Sequence, residues 1–79
     1  MTIPANEKKY IRGILGLRIE MLRKQKKWSQ EDLAEKLGIE RTSVTNIEAG
    51  RQGVSVERLI ELAGIFKVRP ASLLKGIND

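Results

Sequence analysis

The stretch Ser29–Gly50, SQEDLAEKLGIERTSVTNIEAG, limits what this chain can fold into more than any other. Ser29 followed by Asp32 has the form of a capping box, in which the serine oxygen accepts a backbone N–H at the front of a helix. Glu31 and Asp32 also suit the positive end of that helix's dipole. A helix over Gln30–Leu37 then places Leu33, Ala34 and Leu37 on one face, with Glu31, Asp32, Glu35 and Lys36 opposite. Gly38 stands where a helix end needs a residue with positive φ. A further helix, from near Arg41 to Ala49, points Val44 and Ile47 one way and Arg41, Thr42, Thr45 and Asn46 the other, with Gly50 as its stop. The stretch therefore predicts two short amphipathic helices joined by a tight turn.

The rest of the chain supplies something for that hairpin to pack on. From about Glu7 to Lys26, Ile11, Leu15, Ile19 and Leu22 recur at helical spacing, and Tyr10, Ile14, Leu17 and Met21 form a second stripe beside them. Arg12, Arg23, Lys24 and Lys27 fill the remaining arc. Gly13 and Gly16 lower helix propensity here by about 1 kcal/mol each relative to alanine. Ser55 caps a helix over Val56–Phe66 whose Leu59, Leu62, Ala63 and Phe66 form a core stripe. Pro70 suits the first turn of a last helix, Pro70–Lys75, bringing Leu73 and Leu74 inward. This predicts an all-α chain of five helices, one domain over residues 1–79.

Composition narrows function mainly by exclusion. The chain has neither cysteine nor histidine, which removes disulfides, the usual zinc sites, thiol nucleophiles and imidazole bases together. No metal, cofactor or enzymatic activity is expected. No apolar run approaches the roughly 20 residues that span a bilayer, and TIPANEKKY has no signal-peptide core, so an intracellular, cytoplasmic protein with no membrane partner is expected. The net charge of +5 is uneven: residues 1–27 hold eight Lys/Arg against Glu7 and Glu20, and residues 28–79 hold seven against eight acids. A basic face suits nucleic acid or an anionic membrane surface, or simply serves as a solvated helix face.

Two helices joined by a short glycine-containing turn have the form of a helix-turn-helix, here over residues 29–50, whose second helix lies in the major groove. Gln30, Leu33, Ala34, Gly38, Ile39, Val44 and Ile47 fall at spacings that resemble the Cro/phage-repressor (Xre-like) family of transcriptional regulators. The resemblance runs over roughly Leu15–Leu74 and takes in LGLRIEMLRKQKKWSQEDLA, NIEAGR and a terminal VRPASLL. It implies a compact five-helix lambda-repressor-like DNA-binding domain with the helix-turn-helix at helices 2 and 3. Chain length is similar to that of phage repressors and restriction–modification controller proteins, with antitoxin regulators as a further possibility.

Carried onto this sequence, the resemblance makes Gln30, Arg41, Thr42, Thr45 and Asn46 the base-reading residues. Arginine can pair bidentately with guanine and asparagine with adenine, while threonine offers a hydroxyl or a methyl. Ser43, Arg51 and Gln52, with Lys26 and Lys27 behind them and Gln30 again, are the phosphate contacts expected. An arginine at the end of helix 1 resembles the family's partner for a glutamate in helix 3, which predicts an Arg23–Glu48 ion pair orienting helix 3. Trp28 reads as a core or lid residue, with base stacking as the alternative.

One helix-turn-helix reads only a few base pairs, so a homodimer on half-sites about 34 Å apart is expected. Two apolar surfaces are available: the Tyr10/Ile14/Leu17/Met21 stripe, and Ile65, Val68, Leu74 and Ile77 in the C-terminal segment 65–79. The resemblance favours the second; the alternative is that the two pack on each other within one protomer. The expected partners are a double-stranded DNA operator and a second copy, with RNA polymerase added if Glu31 and Glu35 form an activating surface. The rival reading is a protein-interaction module, which would carry aromatic or aliphatic anchors on the outer face of helix 3.

Overall fold

Pro4 opens the first helix. Its φ of −56° suits an entry position, and its carbonyl accepts the backbone N–H groups of Glu7 and Lys8. In the computed structural model, which describes residues 4–75, α1 therefore spans Ala5–Gln25 and starts two residues before the expected Glu7. Leu15 and Ile19 are buried on its inner face, flanked by half-buried Ile11 and Leu22.

Gly16 does not interrupt this helix. A Cβ there would lie 2.7 Å from the Glu48 carbonyl oxygen and closer still to that of Ile47. The glycine is what lets α1 touch the backbone of α3, so the propensity penalty read from the sequence accompanies a close helix crossing.

The remaining helices are α2 (Gln30–Leu37), α3 (Arg41–Glu48), α4 (Val56–Phe66) and α5 (Pro70–Leu73), with no strand among the described residues. Ser29 and Asp32 complete the capping box reciprocally, at 3.0 and 2.8 Å. Ser55 accepts the Arg58 N–H at the front of α4.

Four helices close in the same way. Lys27, Gly38, Gly50 and Lys67 take left-handed φ values of 62°, 67°, 76° and 58°. The next N–H in each case reaches five residues back, as Trp28 does to Arg23 and Val68 to Ala63. This is the Schellman arrangement, which satisfies carbonyls that would otherwise lack partners. The two glycines announce it; the two lysines, each at a cost of about 1 kcal/mol, do not.

Phe66, Ile19, Leu33, Leu62, Leu73 and Val44 fill the centre of the core, each essentially inaccessible to solvent. α5 is shorter than expected, ending at Leu73, and only Leu73 points inward. Leu74 is 43 % exposed, because the next residue of a helical turn is rotated about 100° away. Trp28 stacks on Phe66 with ring centroids 5.7 Å apart, and Lys36 Nζ lies 4.5 Å from the Trp28 centroid. The indole is thus a lid on the core, engaged within the chain.

Candidate nucleic-acid interface

α3 lies across α1 and α2 with Val44, Ile47 and Glu48 turned inward. The opposite face carries exposed Arg41 and Thr42 and half-exposed Ser43, Thr45 and Asn46. No aromatic or aliphatic side chain interrupts it, so the surface offers hydrogen-bond groups and one guanidinium.

That face is held from behind by a continuous polar chain. Arg23 donates through Nε to Glu48 Oε2 at 2.7 Å and through Nη2 to Glu48 Oε1 at 3.0 Å. Its Nη1 donates to the Trp28 carbonyl at 2.7 Å, tying the ion pair to the segment that enters α2. Glu48 Oε1 also accepts Gln30 Nε2 at 3.1 Å, and Gln30 Oε1 accepts the Thr45 hydroxyl at 2.7 Å. The hydrogen bonds with Glu48 push the Arg23 pKa above its usual value, against the effect of burial, so the guanidinium stays charged. The described residues leave no buried side-chain polar atom without a partner, as a buried network requires.

Arg23 and Glu48 are therefore brought together as one rigid unit, and each is only 7 % exposed. Gln30 and Thr45 meet across the α2–α3 crossing. The Thr45 hydroxyl has a single proton, which goes to Gln30 or to the Arg41 carbonyl at 3.1 Å, leaving its oxygen able to accept a further bond. Asn46 Oδ1 accepts Arg51 Nη1 at 3.1 Å, so the amide group keeps its N–H donors outward while Arg51 is drawn to the end of the face. Arg41 sits at the other end, over a shallow hollow lined also by Ser29, Gln30 and Glu31.

Ser43 and Gln52 line a separate groove beside Ile39, Val54 and Ser55, on the α4 side of α3. Lys26 and Lys27 are exposed at the turn into α2. Ile65 and Val68 are half-buried and pack against the core, whereas Leu74 is exposed; Ile77 lies outside the described residues. Tyr10, Leu17 and Met21 remain 54 %, 55 % and 53 % exposed, while Ile14 of the same stripe is half-buried.

Sequence reading did not find the links from Gln30 to Thr45 and Glu48, or from Asn46 to Arg51. Nothing local marks a contact between residues 15 or 18 positions apart. It also missed Arg58, whose Nη1 donates to the Leu37 carbonyl at 3.2 Å and so caps the end of α2 from α4.

A helix-turn-helix family model matches residues 19–73, a span that includes all of α2, α3, α4 and α5. The chain belongs to this helix-turn-helix family. A hypothetical transcription factor from Neisseria meningitidis is 30 % identical over 76 residues, covering 94 % of this chain and 72 % of the relative. The uncharacterised helix-turn-helix transcriptional regulator YqaE of Bacillus subtilis is 40 % identical over 61 residues, 77 % of this chain and 53 % of its own length. The chain thus spans only about half of that regulator.

Solved structures give the same helix-turn-helix architecture. The Neisseria transcription factor superposes with a TM-score of 0.77 at 28 % identity, covering 94 % of this chain and 83 % of that one. The restriction–modification controller protein C.AhdI of Aeromonas hydrophila gives 0.73 at 34 % identity, over 78 % and 94 %. The clp gene regulator ClgR of Corynebacterium glutamicum gives 0.79 at 25 %, over 86 % and 72 %. The family is one of DNA-binding transcription regulators, and the five-helix, lambda-repressor-like fold is theirs. Among the described residues no helix is long and apolar enough to cross a membrane, and no group of acidic residues is placed to hold a metal.

Proposed function

We infer that this helix-turn-helix protein is a sequence-specific regulator that binds an approximately palindromic DNA operator as a homodimer and acts by occupancy, without chemistry. The observation that carries this reading is the outer face of α3. Arg41, Thr42, Thr45 and Asn46 stand beside Gln30 as a polar row, and the Arg23–Glu48–Gln30 chain sets its orientation before any DNA arrives. Ser43, Arg51, Gln52, Lys26 and Lys27 are the phosphate contacts of the same reading. Preorganised donors and acceptors at base-edge distance are what direct readout needs.

Dimerisation follows from the short reach of one such head. Leu74, with Tyr10, Leu17 and Met21, supplies exposed apolar area for a second copy, and Arg18 Nη2 donates to the Lys75 carbonyl, which ties α1 to the end of α5. Repression results where the operator overlaps a promoter. Activation requires a polymerase contact, for which exposed Glu31 and Glu35 on α2 are available. Such a protein works in the cytoplasm of a bacterium or of a phage-infected cell.

Selection from random duplexes, followed by salt titration of the enriched site, tests the reading. A dyad-symmetric consensus and a steep loss of affinity with salt are expected. Failure to enrich any site at any salt concentration sinks it.

A further inference from the structure

The family model begins at residue 19, so the first three turns of α1 and most of the fourth lie ahead of it. These turns form one wall of an open cleft of about 590 Å³. Lys8, Lys9 and Arg12 line it from α1, and Arg51 lines it from the exit of α3. Its floor is backbone: a Cβ on Gly50 would lie 3.0 Å from the Gly13 Cα, so a side chain at position 50 would crowd α1. None of the four cations takes part in a salt bridge among the described residues. Their placement works against the helix. Lys8 and Arg12 are a like-charge pair one turn apart, and Lys8 and Lys9 lie near the positive end of the α1 dipole.

The cleft also joins the DNA face. Arg51, at its rim, donates to Asn46 in the row of base-reading residues. Arg12 lies across Gly53, where a Cβ on that glycine would meet its Nε at 3.0 Å. The cleft therefore presents concentrated positive charge beside the C-terminal end of α3, next to the proposed reading face. The Lys8–Arg12 spacing, about 6 Å along the helix axis, is within about 1 Å of two phosphate steps of roughly 3.4 Å along one strand.

We propose that Lys8, Lys9 and Arg12, with Arg51 at the rim, bind the sugar–phosphate backbone flanking the half-site, extending the footprint beyond the base pairs that α3 reads. The proposal rests on the DNA-reading assignment of α3, and its test separates the two. Binding of the intact chain is measured on a duplex ending at the enriched half-sites and on one continuing several base pairs outward, across a range of salt. The wild-type protein is expected to prefer the longer duplex. Lys8→Gln/Lys9→Gln/Arg12→Gln should remove that preference, keep the consensus, and flatten the slope of log K against log salt by about 2.7 per protomer, at 0.9 per lost contact.

Lys8→Gln/Lys9→Gln alone leaves Arg12 against Gly53 and should flatten the slope by about 1.8. This second variant keeps the test informative if the triple substitution loosens α1. Unchanged slopes and length preference in both variants overturn the proposal. So does saturation of the cleft by inorganic phosphate or a nucleotide with no effect of flanking duplex. Loss of all sequence selection in the wild-type protein would instead remove the α3 assignment on which the proposal rests.

Discussion

Gln30 at the start of α2 and Thr45 in the middle of α3 are hydrogen-bonded side chain to side chain, at 2.7 Å, across the crossing of the two helices. The bond couples both halves of the helix-turn-helix to the Arg23–Glu48 pair through the other end of the Gln30 amide. Fixing such side chains during folding spares binding about 0.5–1.5 kcal/mol for each rotamer-rich group already immobilised. Thr45→Val keeps the shape and deletes the donor. The expected result is a fold less stable by about 1 kcal/mol, the worth of a typical hydrogen bond, and affinity for the enriched site weaker by about 0.5–1.5 kcal/mol, the ordering cost now met on binding. Equal affinity in a fluorescence-anisotropy titration would show that the bond does not serve the DNA face.

The ion pair beneath it makes the opposite balance of stability and function testable. Removing one partner of a buried pair strands a charge and costs about 3–5 kcal/mol, while replacing both by apolar groups is often neutral. Glu48→Ala should therefore lower the unfolding midpoint in urea severely. Arg23→Met/Glu48→Leu should recover most of the stability and still bind DNA poorly, because Gln30 has lost its acceptor. A double variant with wild-type affinity would mean that the pair orients nothing.

The legible part of the chain was what local chemistry writes. Ser29 and Ser55 as caps, Gly38 as a stop, and the periodic apolar residues set the boundaries of α2 and α4 to the residue, whereas α3 ends at Glu48, one residue before the expected Ala49. The outer face of α3 follows from its own sequence as a polar surface; the proposal that it reads DNA rests on the family resemblance. The hidden part depended on contacts between helices. Gly16 reads as a weak point and is a crossing; Leu74, expected to turn inward with Leu73 and also to belong to an apolar surface, is exposed. Lys27 and Lys67 close helices without any residue preference to mark them. The links from Gln30 to Thr45 and Glu48 need the α2–α3 angle, which no periodicity reports.

The glycines of α1 should accordingly respond in opposite ways to the same substitution. A methyl group on Gly13 would meet no atom of another element within 4 Å, so Gly13→Ala should stabilise the fold by up to about 1 kcal/mol through helix propensity. Gly16→Ala drives a methyl into the Ile47 and Glu48 carbonyls and must push α1 off α3. A loss of several kcal/mol is expected, as for overpacked sites at the upper end of that range. Chemical denaturation of the two variants side by side decides it; a mild effect at Gly16 would mean that the helices separate easily.

The α2 cap predicts a pH dependence. The Ser29 backbone N–H, and then its side chain, hold the Asp32 carboxyl below its ordinary value of 3.8. A carboxylate whose pKa is depressed by folding contributes stability that is present above its unfolded pKa and disappears as pH falls through the folded value. The stability difference between wild type and Asp32→Asn should thus be constant near neutrality and shrink from about pH 4 downward. Urea unfolding at a series of pH values measures it, and a gap that persists to the lowest pH would assign the effect to something other than this ionisation.

Arg41 and Arg51 stand at opposite ends of the proposed reading face, and their loss should look different. Arg41 projects free of any ion pair among the described residues and can reach a guanine edge. Arg41→Ala is expected to cost about 1–3 kcal/mol on the enriched site and to relax one position in each half-site. Arg51 is tethered to Asn46 at the rim of the basic cleft, a position suited to a phosphate. Arg51→Ala should weaken all sequences by a similar factor and flatten the salt slope by about 0.9 per protomer. Repeating the duplex selection with each variant separates them: if Arg51→Ala changed the consensus and Arg41→Ala left it intact, the register assigned to α3 would have to be reversed.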